Sequence, residues 1–137
     1  MDTAPDVGAE PTFSDDRCRQ LIASARACRV AFVVDDLPHL VVLNHLLDGT
    51  DVLVRTSADT RLAGLTTRGR AVPVALEVDS LSSASRSGWS VLATGPLVRD
   101  NRELSRLPQP WRQGPLDVVL RLTPQRLTGV QVQADLG

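Results

Sequence analysis

Arg55, Thr56, Ser57 and Arg61 fall within seven residues, on the boundary between a β-branched run and a helix-forming one. Two guanidinium forks, two hydroxyls and the free amides of a helix start can converge on one phosphate, so this is an anion site in outline. Strand ends and helix starts also collect Arg, Ser and Thr simply because they are exposed, and the spacing alone leaves both readings open. Gly88-Trp89-Ser90 is a second candidate. It combines a residue that permits close backbone approach, a flat ring and a hydroxyl, a group able to border a planar cofactor. In a chain with two Trp, two Phe and no Tyr, Trp89 reads more readily as an ordinary core anchor. His39 and His45 are six apart on one extended run and so share a face. With no third metal ligand nearby, each reads as a surface or edge histidine, although His45 beside Asn44 can also face a bound ring. No nucleophile elbow or Ser, His and Asp arrangement occurs. The acid pairs Asp15-Asp16 and Asp35-Asp36 suit a helix start and a turn rather than acid/base catalysis.

The elements that position these groups are legible from periodicity. Ser14 with Asp15 and Asp16 starts a helix, and Cys18, Leu21, Ile22 and Ala25 form its apolar face up to about Arg26. Val30, Phe32 and Val34 then alternate in a strand that ends in the turn residues Asp35-Asp36-Leu37-Pro38. Leu40 to Leu47 is the returning strand, Asp48-Gly49-Thr50 a tight turn and Val52 to Val54 a third strand, which makes an antiparallel meander. Thr60 to Arg68 reads as a short helix ended by Gly69, and Ala71 to Val78 as a fourth strand. Leu81 to Ser87 is Ser-rich and reads as irregular. Trp89 to Gly95 is a fifth strand, Asn101 to Leu107 a helical turn before Pro108 and Pro110, and Asp117 to Leu122 the last strand, continued past Pro124 by Thr128 to Val132. Short antiparallel links without crossover helices argue for a closed barrel rather than a parallel sheet.

With 137 residues, 42% of them hydrophobic, the chain holds one domain, expected over 12–137. Residues 1–11, small and acidic with two Pro, are expected to be a disordered tail. A formal net charge of −1 gives no global attraction to nucleic acid or anionic lipid. Cys18 and Cys28 lack CxxC spacing and read as buried thiols. No signal peptide or membrane span is evident in the sequence, which makes the cytoplasm the expected location.

The order of features resembles the pyridoxamine 5'-phosphate oxidase-like family of flavin-binding split barrels. The segments that carry the likeness are Cys28-Arg29-Val30-Ala31-Phe32-Val33-Val34-Asp35, Asn44-His45-Leu46-Leu47-Asp48-Gly49, Val54-Arg55-Thr56 with Arg61-Leu62-Ala63, Gly88-Trp89-Ser90-Val91 with Gly95, and Pro110-Trp111. The resemblance implies a six-stranded antiparallel Greek-key split barrel, a homodimer, and two sites for FMN between the subunits. By position, Arg55, Thr56 and Arg61 would hold the phosphate, and Asn44 and His45 would lie beside the isoalloxazine. Trp89 and Ser90 would border the site, with Trp111 a weaker candidate for that boundary. The family commonly has Lys where Arg61 stands and Tyr where His45 stands; the first change keeps the charge and the second alters the ring's surroundings. The resemblance implies a flavin-dependent oxidoreductase acting on a small molecule. Relatives that use the deazaflavin F420, or that form structural or non-catalytic flavin-binding dimers, are the alternatives.

Overall fold

Ser14 caps the first helix as its residue type dictates, its Oγ accepting the Arg17 backbone N–H at 3.1 Å. The computed structural model describes residues 9–111 and 113–133. They form β1 (Ala9–Thr12), α1 (Asp15–Ser24), β2 (Ala27–Val34), β3 (Leu37–Asp48), β4 (Asp51–Thr56), α2 (Arg61–Leu65), a 3₁₀ turn (Thr67–Gly69), β5 (Val72–Ser82), β6 (Ser87–Arg99), β7 (Val118–Leu122) and β8 (Arg126–Gln133).

All pairings are antiparallel, in the order β1-β8-β6-β5-β2-β3-β4-β7, and β7 also pairs with β6 to close a ring of six strands, β2 to β7. Because β5 returns to lie beside β2 after the β2-β3-β4 meander, the topology is a Greek key. β7 and β8 run end to end along one edge of β6: Leu97 pairs with Leu122, and Thr94 with Arg126. The chain therefore continues past Pro124 with one extra residue, a bulge. Gly95 faces that bulge, and a Cβ there would stand 2.5 Å from the Thr123 carbonyl oxygen.

Alternation sets the interior. Val30, Phe32, Val52, Val54, Leu76, Val78, Val91, Ala93, Leu120 and Leu122 point inward and are buried, joined by Cys18, Leu21 and Ile22 from α1. Each fully buried Val or Leu contributes about 1.5–3 kcal/mol relative to exposure. Cys18 and Cys28 are free and buried, and burial pushes the Cys28 thiol up to about 12. Among the described residues no helix is long and apolar enough to cross a membrane.

Three expectations need correction. Ala9–Thr12 pairs with β8, although it overlaps the stretch read as a tail; backbone pairing to an open strand edge does not need apolar side chains. The first eight residues of that stretch lie outside the described ones. The Ser-rich 81–87 segment is the tip of the β5–β6 hairpin, with Ser82 paired to Ser87, hidden from pattern reading because residues 80–86 are exposed. Asn101 to Leu107 is not helical. The Asp100 carboxylate takes the Arg102 backbone N–H at 3.1 Å and its guanidinium at 2.9 and 2.7 Å, a local turn that competes with a helix start.

Candidate functional site

Arg55 and Thr56 end β4, and Arg61 opens α2 four residues beyond Ser57. The structure thus brings the three to one strand–helix junction, but it commits them differently. Arg55 donates from Nε and Nη2 to the Leu116 carbonyl at 3.0 and 2.7 Å, and from Nη1 to the Pro108 carbonyl at 3.4 Å. Its guanidinium fastens the 101–117 loop over the outer face of β4. Thr56 is buried, its hydroxyl 3.0 Å from that of Thr60, which in turn caps α2 through the Ala63 N–H. The Ser57 hydroxyl donates to Asp59. Arg61 is exposed, and among the described residues its guanidinium has no hydrogen-bond or ion-pair partner. Arg99 steadies the far end of α2 by donating to the Thr66 hydroxyl and the Ala63 carbonyl.

Asn44 and His45 are neighbours on β3 and so face opposite ways. Asn44 points outward: its amide donates to the Arg26 carbonyl at 2.9 Å, and its Oδ1 accepts the Trp111 backbone N–H at 2.8 Å. His45 points into the barrel at 4% exposure. Its Nε2 lies 2.8 Å from the Ile22 carbonyl, which fixes Nε2 as the donor and leaves Nδ1 as a buried acceptor without a partner. Burial lowers its pKa against the opposing pull of that bond. The expectation of a surface or edge residue is thereby corrected for His45: an inward position on β3 docks it against the C-terminal end of α1. His39 is half-buried and stacks on Phe32 with centroids 5.3 Å apart.

Trp89 is half-buried and packs on the core, in line with the anchor reading. It pairs with Ser80 and Gln131, and Ser90 with Asp79 and Val130. Within one chain that pair lies on β6, three strands along the sheet from β3. The backbone that closes on Gly88 belongs to the chain itself: a Cβ there would meet the Ser80 carbonyl oxygen at 2.1 Å.

A cavity of about 450 Å³ lies under the loop, bounded by Arg26, His45, Arg106, Leu107, Gln109 and Trp111 among others. A second, of about 350 Å³, adjoins Ser57, but it carries Asp59 and Asp117, a lining unsuited to phosphate. Sequence reasoning missed the clamp at the other end of the loop. Arg121, a half-buried residue on β7, bonds Asp48, Asp51 and Asp100 at 2.8, 3.0 and 2.7 Å. Hydrogen bonds from Arg102 and Arg121 hold the Asp100 carboxyl well below the usual carboxylate range. The signal for this clamp is spread over three turns, and only the closed barrel assembles it. No cluster of His, Cys, Asp and Glu suited to a metal occurs among the described residues.

Known proteins match this chain over almost its full length. It is 34% identical over 127 residues to the uncharacterized protein Rv0080 of Mycobacterium tuberculosis, covering 88% of this chain and 84% of that one. The structure of the FAD binding protein from Mycobacterium smegmatis superposes with a TM-score of 0.71 at 23% identity, over 90% of this chain and 98% of the other. A FAD-binding protein from Mesorhizobium loti does so with a TM-score of 0.72 at 17% identity, over 93% and 100%. The family model for pyridoxamine 5'-phosphate oxidase matches residues 14–131, the stretch from the cap of α1 to the middle of β8, and the chain belongs to that family.

Proposed function

We propose that this chain binds a flavin, FMN in the first instance, between two copies of itself and acts as a flavin-dependent oxidoreductase on a small molecule. The observation that carries this reading is the family barrel with an exposed Arg61 guanidinium, unpaired among the described residues, at the β4–α2 junction. That group fits a terminal phosphate. Thr56 acts behind it by holding Thr60, the cap of α2, and Arg55 acts by holding the loop. Asn44 and His45 present the β3 side, Asn44 by fixing Trp111 and His45 by fixing α1. Trp89 and Ser90 would approach from the second copy, since within one chain they lie on another part of the sheet. Bound flavin would supply hydride or electron transfer, while the protein positions it and tunes its surroundings. The flavin named for the M. smegmatis and M. loti proteins, FAD, is the second candidate, and F420 the third. A cytoplasmic location belongs to the same reading.

The test is an absorbance spectrum of the purified protein followed by titration with FMN, FAD and F420. Saturable binding of a flavin, weakened about tenfold or more in Arg61→Ala, supports the reading. Binding of none of the three sinks it. Reduction of the bound flavin by a nicotinamide donor and reoxidation by an acceptor separate an enzyme from a non-catalytic flavin-binding dimer.

A further inference from the structure

Most arginines that line the sheet or the 101–117 loop are committed to acceptors in their own chain. Arg29 bonds Glu77 and Asp79, Arg55 bonds Leu116 and Pro108, Arg99 bonds Thr66 and Ala63, and Arg121 bonds three aspartates. Arg26 and Arg106 are different. Both line the cavity of about 450 Å³, both are exposed, and among the described residues neither guanidinium has a hydrogen bond or an ion pair. Among the described residues no carboxylate shares the lining with them. Trp111 stands at the same cavity with 70% of its surface exposed, and Leu107 beside it is 37% exposed.

The loop that carries these groups is held in place. Asn44 Oδ1 accepts the Trp111 N–H, and Arg55 donates to the carbonyls of Pro108 and Leu116. A flat apolar ring on an anchored backbone and two forked cations, with no partner and no competing anion among the described residues, make a matched set for one ligand chemistry. The volume lies in the range of small-molecule sites.

We propose that this cavity binds a planar aromatic anion, its ring against Trp111 and its carboxylate or phosphate between Arg26 and Arg106. Of the residues placed with the flavin by position, the lining contains His45 and the weaker boundary candidate Trp111; Arg26 and Arg106, which would hold the anion, are not among them, and the inference does not rest on the flavin reading.

The test uses a Trp89→Phe protein, which leaves Trp111 as the sole tryptophan. Its emission is followed during titration with benzoate and with phenyl phosphate, with benzamide as the uncharged control. The proposal expects a saturable change with at least one anion, the tighter of the two identifying the head group. It also expects no change with benzamide, and affinity about tenfold or more weaker in Arg26→Ala/Arg106→Ala. Both arginines are exposed, so circular dichroism of the double variant should match that of the parent. A saturable response that persists in excess FMN marks a site separate from the flavin's. No saturable response, an equal response to benzamide, or indifference to the arginines each overturns the proposal, and displacement of the anion by FMN, itself a planar aromatic phosphate, overturns a site separate from the flavin's. FMN binding is measured on the parent as well as on Trp89→Phe, and the competition is read only in a protein that binds FMN; if FMN fails to bind the parent, the flavin reading fails and this one is judged on the anions alone. Should Trp89→Phe not fold, the fluorine NMR line width of 4-fluorobenzoate with the parent and the double variant gives the same decision.

Discussion

The imidazole of His45 is a helix-end donor supplied by a strand. α1 ends without a basic residue in its last turn, and the Ile22 carbonyl, which accepts the Ala25 backbone N–H at 3.3 Å, takes the His45 N–H as well. Holding that ring neutral has a sign that can be worked out. Its folded pKa is lowered by burial, whereas an unfolded imidazole titrates near about 6.5. Below that pH the unfolded chain takes up a proton that the folded one resists. Stability is therefore full above about pH 6.5 and falls as the pH drops toward the folded value, with a limiting slope of about 1.4 kcal/mol per pH unit. His45→Gln keeps a donor for Ile22 and removes the titration. Urea melts at about pH 5.5 and 7.5 should then differ less for the variant than for the parent, and an equal difference in both proteins would count against the assignment. At this scale Ser14 was legible, because a cap is local. His45 was legible as a strand residue but reads from the sequence as a surface or edge one, and its partner was not legible, because Ile22 is brought to it only when α1 docks.

At the scale of elements, the junction of β7 and β8 against β6 shows how one residue fixes a register. Gly95 lies where the extra residue around Pro124 crowds the sheet, with the Thr123 carbonyl 2.5 Å from the position a Cβ would take. Gly95→Ala must push backbone rather than a side-chain tip, and overpacking of this kind costs about 2 kcal/mol. Chemical denaturation would show that loss, and a variant within about 0.5 kcal/mol of the parent would mean the bulge yields. The continuity of this edge past Pro124 was readable, because Thr128 to Val132 repeats the strand pattern beyond a single breaker. The β5–β6 tip was not, since strands that project beyond the barrel have no buried face to impose alternation. The 101–117 loop was least legible of all. Its shape depends on Arg55, Asn44 and Arg121, which lie on three different strands.

Across the whole molecule, the outer face of β2 and β3 is open. Arg29 pairs with Val42, Ala31 with Leu40 and Val33 with Pro38, so these side chains share one face, on which Val33, Leu40 and Val42 are 62, 63 and 62% exposed. A patch of this kind marks an interaction surface, and a second copy is the occupant that the flavin reading requires. Val42→Lys places a charge at its centre. Light scattering should then report a monomer where the parent is a dimer, with flavin affinity lost alongside; a parent that is itself monomeric removes the two-copy site. The barrel was legible from the meander and the family segments; that Trp89 and Ser90 sit three strands from Asn44 along the ring was not, because only the closed barrel sets that separation. The two thiols add a practical consequence. Cys18 and Cys28 are both enclosed, and both are held in the unreactive protonated form, Cys18 above its ordinary value and Cys28 up to about 12. Both thiols should therefore react slowly with maleimides and nitroxide reagents while the chain is folded. One cysteine introduced at Leu40 would take a single spin label, and a dipolar distance measured between labels could arise only from two chains meeting.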